Sequence, residues 1–572
     1  MSQLEDDEVS RSLDQALLRR FLGYVRPHWA PTAATLAVTL SHIAAGLAAP
    51  LVLRAALDGP IAAKDPHGLL RWAGLFFVLV FLDGLFESGS NYLSNLAGQR
   101  IIYDLRAQVF AHLQRMPVSF YDRNPVGRLL TRVTGDVENL AELFTSGLVG
   151  MLASLLLVVG SAAAMLWLDE RLAVYTMLVL PLLVAASAVF RRHARDKYSE
   201  ARKAIAAVAA YFNESLGGIK TIQSFARESL VTDRFKERAG RHLEAAIGTA
   251  YVYSFFWPTI QLTTALTSAL VLCVGGMDIL HGRISFGTFM AFWYLVRQFF
   301  EPIQELAEKY NILQAAMASA ERLFKLLDTA PAVAAPRRPA APPRRGAVEF
   351  ERVSHSYDGV TPVLDDVSFK VEPGERVAIV GYTGAGKTTL MSLLLRLYDA
   401  TKGRVLVDGE DVRAYDPKEL RRRFGMVFQD VFLFSGTVRE NLALGGGAPA
   451  EALERAARLS RAETVIERLP QGWDTPVGER GAQLSVGERQ LLSFARALVA
   501  DPAILVLDEA TSSVDAETEG LIQEALESML EGRTALIVAH RLATVRGADR
   551  ILVMHHGKLR EQGTHEELLA QG

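Results

Sequence analysis

Cysteine is almost absent: the 572 residues contain one, Cys273. A disulfide framework and a cysteine-based zinc site are therefore excluded within one chain. A surplus of either charge is lacking too, with Lys and Arg at 61, Asp and Glu at 64, and a net charge of −3. A protein whose main partner is nucleic acid usually carries an overall basic excess, so that class is set aside. The amino terminus, MSQLEDDEVSRSLD, has no basic stretch leading into an apolar one. It does not read as a cleavable signal peptide. What the chain has in quantity is long apolar runs, all before residue 311. They exclude a wholly soluble protein, and the ordinary strand–helix alternation after residue 346 excludes a wholly embedded one.

Six segments reach spanning length, near 31–54, 70–95, 143–167, 171–190, 251–281 and 285–310. They form three hairpins with short outer links. The inner links are long, polar and helix-forming, and carry Arg100, Arg106, Arg115, Arg123, Arg128 and Arg132 in one, Arg191, Arg192, Arg195, Lys197, Arg202 and Lys203 in the other. Basic residues mark the cytoplasmic side, which places both termini in the cytoplasm. Ahead of the first span, Leu13, Leu17, Phe21 and Tyr24 share one helical face opposite Arg19 and Arg20. That pattern suits a helix lying in the headgroup layer. Helical patterning breaks at 116–130, with Pro117, Pro125 and Gly127, and at 211–228, with Gly217-Gly218. Each reads as a bent tip able to dock on another domain, or as an ordinary loop.

The second span places Asp83, Glu87, Asn91 and Ser94 along one face. Asp83 falls about 16 Å below Trp72, near mid-bilayer. A carboxylate facing lipid there would cost at least about 2.5 kcal/mol, so this face points to a protein or water-filled interior. Arg297 on the sixth span lies at similar depth. Asp83, Glu87, Asn91 and Arg297 are read as lining a polar cavity for a small amphipathic substrate, with a structural ion pair as the alternative. His42 reads as a packed polar residue.

A Pro- and Arg-rich tether, 329–346, separates residues 1–328 from 347–572. VAIVG (377–381) is a short buried strand running into GYTGAGKTTLMSLLLRLY. Gly381, Gly386, Lys387 and Thr388 fit the phosphate-loop pattern G-x4-GK[ST], between the strand and helix it requires. Backbone N–H groups of the loop (Thr383, Gly384, Ala385, Gly386) and of the helix start (Thr389 among them) can cradle phosphates. Lys387 can bridge the terminal phosphates of ATP, and the Thr388 hydroxyl can hold Mg²⁺. AILVLDEATSSVD (503–515) ends an apolar strand on Asp508, which can reach the Mg²⁺ shell, followed by Glu509 as candidate general base. His540 ends the strand LIVAH and is read as a γ-phosphate contact.

With these motifs in place, Gln429 in VFQDVFLF, LSVGERQLLSFARAL (484–498) and Tyr357 in HSYDG resemble the ATP-binding cassette (ABC) ATPases over nearly all of 347–572. The whole chain resembles a bacterial half-transporter of the ABC exporter type. The resemblance implies a multi-domain membrane protein: a six-helix transmembrane domain with long cytoplasmic helical extensions, then an α/β P-loop ATPase domain. It implies that Tyr357 stacks on adenine, that Gln429 links Mg²⁺ to the membrane domain, that Asp515 belongs to a loop facing a second cassette, and that TPVGERG (475–481) touches the inner-link tips. It also implies ATP and Mg²⁺, a multi-pass place in the cytoplasmic membrane with the ATPase in the cytoplasm, and a second half-transporter subunit. The family signature is usually LSGGQ; here it is Leu484, Ser485, Val486, Gly487, Glu488. Ser485 and Gly487 keep a hydroxyl and a close backbone approach to phosphate. Val486 adds a β-branched side chain and Glu488 a repelling charge. A complete catalytic set beside a weakened signature resembles the consensus-glutamate half of heterodimeric multidrug exporters. A homodimer, a lipid or glycolipid flippase, and an ATP-binding regulatory subunit without transport remain as alternatives.

Overall fold

The computed structural model describes residues 15–571 except 332, 334, 337, 445–446, 509–515 and 540–541. The chain divides into two compact units: residues up to Ala111 with Leu130–Asp328, and His112–Leu129 with the chain from Thr329 onward.

The first unit is helical. An amphipathic helix, α1 (Gln15–Val25), leads into α2 (Trp29–Ala56) and α3 (Pro66–Leu113). After the short helix α4 (Val118–Arg123), which belongs to the second unit, come α5 (Leu148–Leu168), α6 (Glu170–Leu178), α7 (Leu180–Gly217), α8 (Glu228–Leu280) and α9 (Phe286–Asp328). At 1.5 Å per residue the 53 residues of α8 run to about 80 Å, far beyond a hydrocarbon core of about 30 Å. The long helices thus carry polar extensions, as expected.

Among the described residues, four helical stretches are long and apolar enough to cross a membrane: Arg19–Ile61, Pro66–Leu113, Val126–Leu168 and Gln261–Leu280. The expected fourth and sixth spans do not qualify. The fourth is interrupted at Val179, where a turn separates α6 from α7. The sixth, inside α9, carries Arg297, Glu301 and Glu305 in its apolar stretch. Its Phe292, Leu295, Val296, Phe299 and Phe300 are buried against Met165, Leu172 and Val271, so α9 is the packing centre of this unit.

The apolar face of α1 is used on protein. Phe21 lies between Phe144 and Phe324, with ring centroids 5.0 and 6.0 Å away. Arg20 makes a bidentate pair with Asp328 at 2.7 and 2.8 Å. Both expected breaks in helical patterning form a short helix: α4 follows Pro117 in extended conformation, and Ile219–Ser224 follows the Gly217-Gly218 pair.

The second unit holds two sheets. One is antiparallel in the order β2-β1-β4-β5, with β1 Val348–His355, β2 Leu364–Val371, β4 Lys402–Val407 and β5 Glu410–Asp411. The other has the order β10-β9-β3-β8-β7-β6, with β3 Arg376–Val380, β6 Phe424–Val427, β7 Ile504–Asp508, β8 Thr534–Val538, β9 Arg550–His555 and β10 Lys558–Gly563. From β9 to β6 it is parallel. Every residue of β7 and β8 is buried, which is why ILVLD and TALIV read as unbroken apolar runs.

Two details depart from the simplest reading. The carboxyl end of the 329–346 tether is held down: the Asp408 carboxylate accepts the backbone N–H groups of Arg344, Arg345, Gly346 and Ala347 at 2.5–2.9 Å. At Gly403 in β4, φ is +81°, and a Cβ would sit 2.3 Å from the Arg352 carbonyl oxygen, beside the bulge in β1. Gly403→Ala is expected to destabilise this unit by at least about 1–2 kcal/mol, seen as a lower melting temperature of the purified chain.

Candidate functional site

The parallel sheet sets the site by register. Ile379 of β3 pairs with Val538 of β8, and Val538 pairs with Asp508 of β7. Asp508 therefore stands at the carboxyl edge of the sheet, level with the end of β3, where the chain leaves for the phosphate loop. Ligands of open α/β sheets bind in the crevice outside those edges.

The loop's glycines are there for room and for φ. Gly381, Gly384 and Gly386 have φ of +152°, +84° and +97°. A Cβ on Gly381 would lie 2.2 Å from the Met554 carbonyl oxygen, and one on Gly386 would lie 2.6 Å from Leu364 Cδ2. Thr383 and Gly384 face solvent, whereas Ala385 and Gly386 are buried. Gly386 caps helix α10 (Lys387–Leu394), whose Leu390, Met391, Leu393 and Leu394 are buried and hold its amino end at the loop. That end presents free N–H groups and a positive dipole.

Lys387 is 7% exposed. Its Nζ donates to the carbonyl oxygens of Gly381 at 2.7 Å and Tyr382 at 3.1 Å. Burial pushes its pKa down, and the negative charge of Asp508 works the other way. A buried ammonium held, among the described residues, by two carbonyls at the amino end of a helix is matched by an anion with several oxygens, as a triphosphate is. The Thr388 hydroxyl donates to Asp508 Oδ2 at 3.2 Å, which brings the two proposed Mg²⁺ ligands together. A hydroxyl and a carboxylate are the oxygen donors a hard cation takes. Gln429 lies two residues past β6, exposed. Tyr357 follows β1; its hydroxyl donates to Thr389 Oγ1 at 3.1 Å, and its ring is 40% exposed beside α10. Glu509, Asp515 and His540 lie outside the described residues.

The signature segment opens helix α11 (Val486–Leu498). Ser485 is its N-cap, accepting from the Glu488 N–H at 3.2 Å, while the Glu488 carboxylate accepts the Ser485 N–H at 2.8 Å. This capping box is a use for Glu488 that its reading as a repelling charge did not foresee, although S-x-x-E before an apolar run signals it. Gly487 is buried, and Val486 is 47% exposed.

In the membrane unit the polar face of α3 meets a partner the sequence reading missed. Asp83 Oδ1 lies 3.0 Å from His42 Nδ1 of α2, so His42 is an ion-pair candidate and not merely packed. Gly46 lets Asp83 and Gln298 approach, since a Cβ there would lie 3.3 Å from Asp83 Oδ1 and 3.0 Å from Gln298 Nε2. Glu87, Asn91 and Arg297 are exposed, and among the described residues Arg297 has no ion pair. The sequence marks His42 only as an ionisable residue inside an apolar span, a signal it shares with Arg297.

Family comparisons agree with this geometry. Residues 33–303 match the family model of the ABC transporter transmembrane region, and residues 364–512 match that of the ABC transporter. A fatty acid ABC transporter ATP-binding/permease protein of Mycobacterium bovis is 38% identical over 513 residues, covering 90% of this chain and 81% of that protein. An ATP-dependent lipid A-core flippase of Syntrophus aciditrophicus is 34% identical over 563 residues, covering 97% of this chain and 92% of that protein. The solved structure of a bacterial Atm1-family ABC exporter with ATP bound superposes with a TM-score of 0.79, at 29% identity, covering 98% of this chain and 97% of that one. Phosphate loop, parallel sheet and apolar helices thus stand in one polypeptide whose relatives share both halves, and the chain belongs to the ABC transporter family, as an exporter-type transmembrane region fused to its own ATP-hydrolysing cassette.

Proposed function

We propose that this chain exports an amphipathic molecule, of drug or peptide type, across the cytoplasmic membrane by alternating access. The observation that carries the reading is the phosphate cradle at Lys387 in the same polypeptide as the apolar helices. ATP closes two cassettes and the inner-link tips pass the motion to the helices. Hydrolysis, with Glu509 as base, His540 at the γ-phosphate, and Thr388, Asp508 and Gln429 as the residues that would hold Mg²⁺, resets them. The basic inner links place both termini and the ATPase in the cytoplasm. Asp83 and Glu87 share one face of α3, with Glu87 exposed there, a surface suited to a molecule with a polar or cationic end. A lipid flippase is the competing reading, favoured by the relative named for lipid A-core. ATPase stimulation by hydrophobic cations but not by lipid A-type glycolipid in nanodiscs supports drug export; the reverse overturns it.

The second cassette comes from a different chain in this reading. In this family each ATP lies between one chain's phosphate loop and the other's signature. Here the carboxylate of Glu488 sits at the amino end of α11, where it offsets the positive dipole offered to a phosphate, and Val486 projects beside it. The partner supplies an intact signature opposite Glu509. Purified alone, the chain is expected to hydrolyse ATP poorly, and Val486→Gly with Glu488→Gln to raise that rate about tenfold, a change of about 1.4 kcal/mol. Full activity of the unmodified chain alone would leave a homodimer as the answer.

A further inference from the structure

The inner-link tip α4 belongs to the same compact unit as the cassette, and one side chain joins it to the nucleotide pocket. Tyr398, in the turn after α10, donates its hydroxyl to Asp122 Oδ2 of α4 at 2.5 Å. Its ring meets that of Tyr357 edge-on, with centroids 5.0 Å apart and planes at 85°. His355, 6% exposed at the end of β1, closes the cluster: its ring lies 4.9 Å from Tyr357 at 90° and 5.9 Å from Tyr398. Both ends are anchored. Arg396 bonds the Tyr415 carbonyl at 3.1 Å and Asp399 at 3.2 Å, fixing the turn that carries Tyr398. Tyr121 donates to the Leu113 carbonyl at 2.6 Å, fixing the start of α4. The far side of Tyr357 is tied to Thr389 at the start of α10. Edge-to-face contacts constrain ring orientation, and orientation decides how well a ring offers its face to a base.

We infer that Tyr398 is a positioning residue for nucleotide binding: through Asp122 it senses the docked tip, and through its ring edge it sets the Tyr357 face on which adenine stacks. The inference rests on the proposed base contact at Tyr357. It makes base affinity, and not phosphate affinity, depend on the seating of α4.

The test is steady-state ATP hydrolysis by the full complex in nanodiscs, with inorganic tripolyphosphate as a competitor that lacks the base. Tyr398→Phe and Asp122→Ala are each expected to raise the KM for ATP about three- to tenfold, with a smaller change in kcat and an unchanged inhibition constant for tripolyphosphate. The double variant is expected to be no worse than either single one, because both remove the same bond. Equal weakening of ATP and tripolyphosphate would mean a general loss of structure and overturn the inference. Tyr357→Ala separates the two layers. If it raises the KM while Tyr398→Phe and Asp122→Ala do not, the positioning role is wrong and the base contact stands. If Tyr357→Ala leaves the KM unchanged, the base contact itself is wrong and the inference falls with it.

Discussion

Lys387→Ala is expected to lower ATP turnover by at least about 10²–10³-fold, the usual loss when one preorganised charge or donor is removed from a developing negative charge. Lys387 is nine-tenths buried and its ammonium already points into the loop, held by the carbonyls of Gly381 and Tyr382. No reorganisation is needed for it to meet a phosphate, so its whole interaction is available to binding and to the transition state. Burial holds its pKa below the ordinary lysine value, so folding carries a cost that an anionic ligand offsets. The variant keeps Gly386 and the buried face of α10, so the sheet and helix should remain. Circular dichroism and melting close to those of the parent, with ATP affinity and phosphate release both lost, is the expected result. Uphill transport at the parent's rate would remove the cassette from the mechanism altogether.

Glu509→Gln is expected to separate binding from chemistry. The substitution keeps the shape and removes the basic carboxylate, so ATP should still bind while hydrolysis falls by about 10²–10⁴-fold, the range for a positioned general base. Retained nucleotide together with slow phosphate release in a single-turnover experiment checks it. Hydrolysis near the parent's rate would assign the base elsewhere. In the proposed asymmetric pair, the same change at the partner's corresponding position should have little further effect. The contrast between the two variants is diagnostic, because Lys387 acts on both bound and reacting phosphate, whereas Glu509 acts on the water.

Much of the cassette was legible in the chain because its signals are local. G-x4-GK[ST] specifies a backbone path that only glycine can follow at Gly381 and Gly386, where a Cβ would collide with backbone or side chain. ILVLD and TALIV announce buried parallel strands because both faces of the sheet are covered. The spans were legible to a lesser degree. Apolar length alone counted α9, and the structure adds that its Phe and Leu residues pack on other helices of the chain. Length and composition do not distinguish a lipid-facing helix from one at the centre of a bundle.

Pairing was not legible. Nothing in the sequence selects His42 over Arg297 as the neighbour of Asp83; the convergence of α2 and α3, with Gly46 making room, does. Nothing in the sequence ties Tyr398 to Asp122, 276 positions away. The chain by itself determined the family, the phosphate cradle and the apolar helices, since each depends on residues a few positions apart whose backbone needs are strict. The tertiary structure alone decided which side chains meet across helices and between inner-link tip and cassette. Such contacts depend on how distant segments pack, and packing is a property of the assembled volume, not of any stretch of chain.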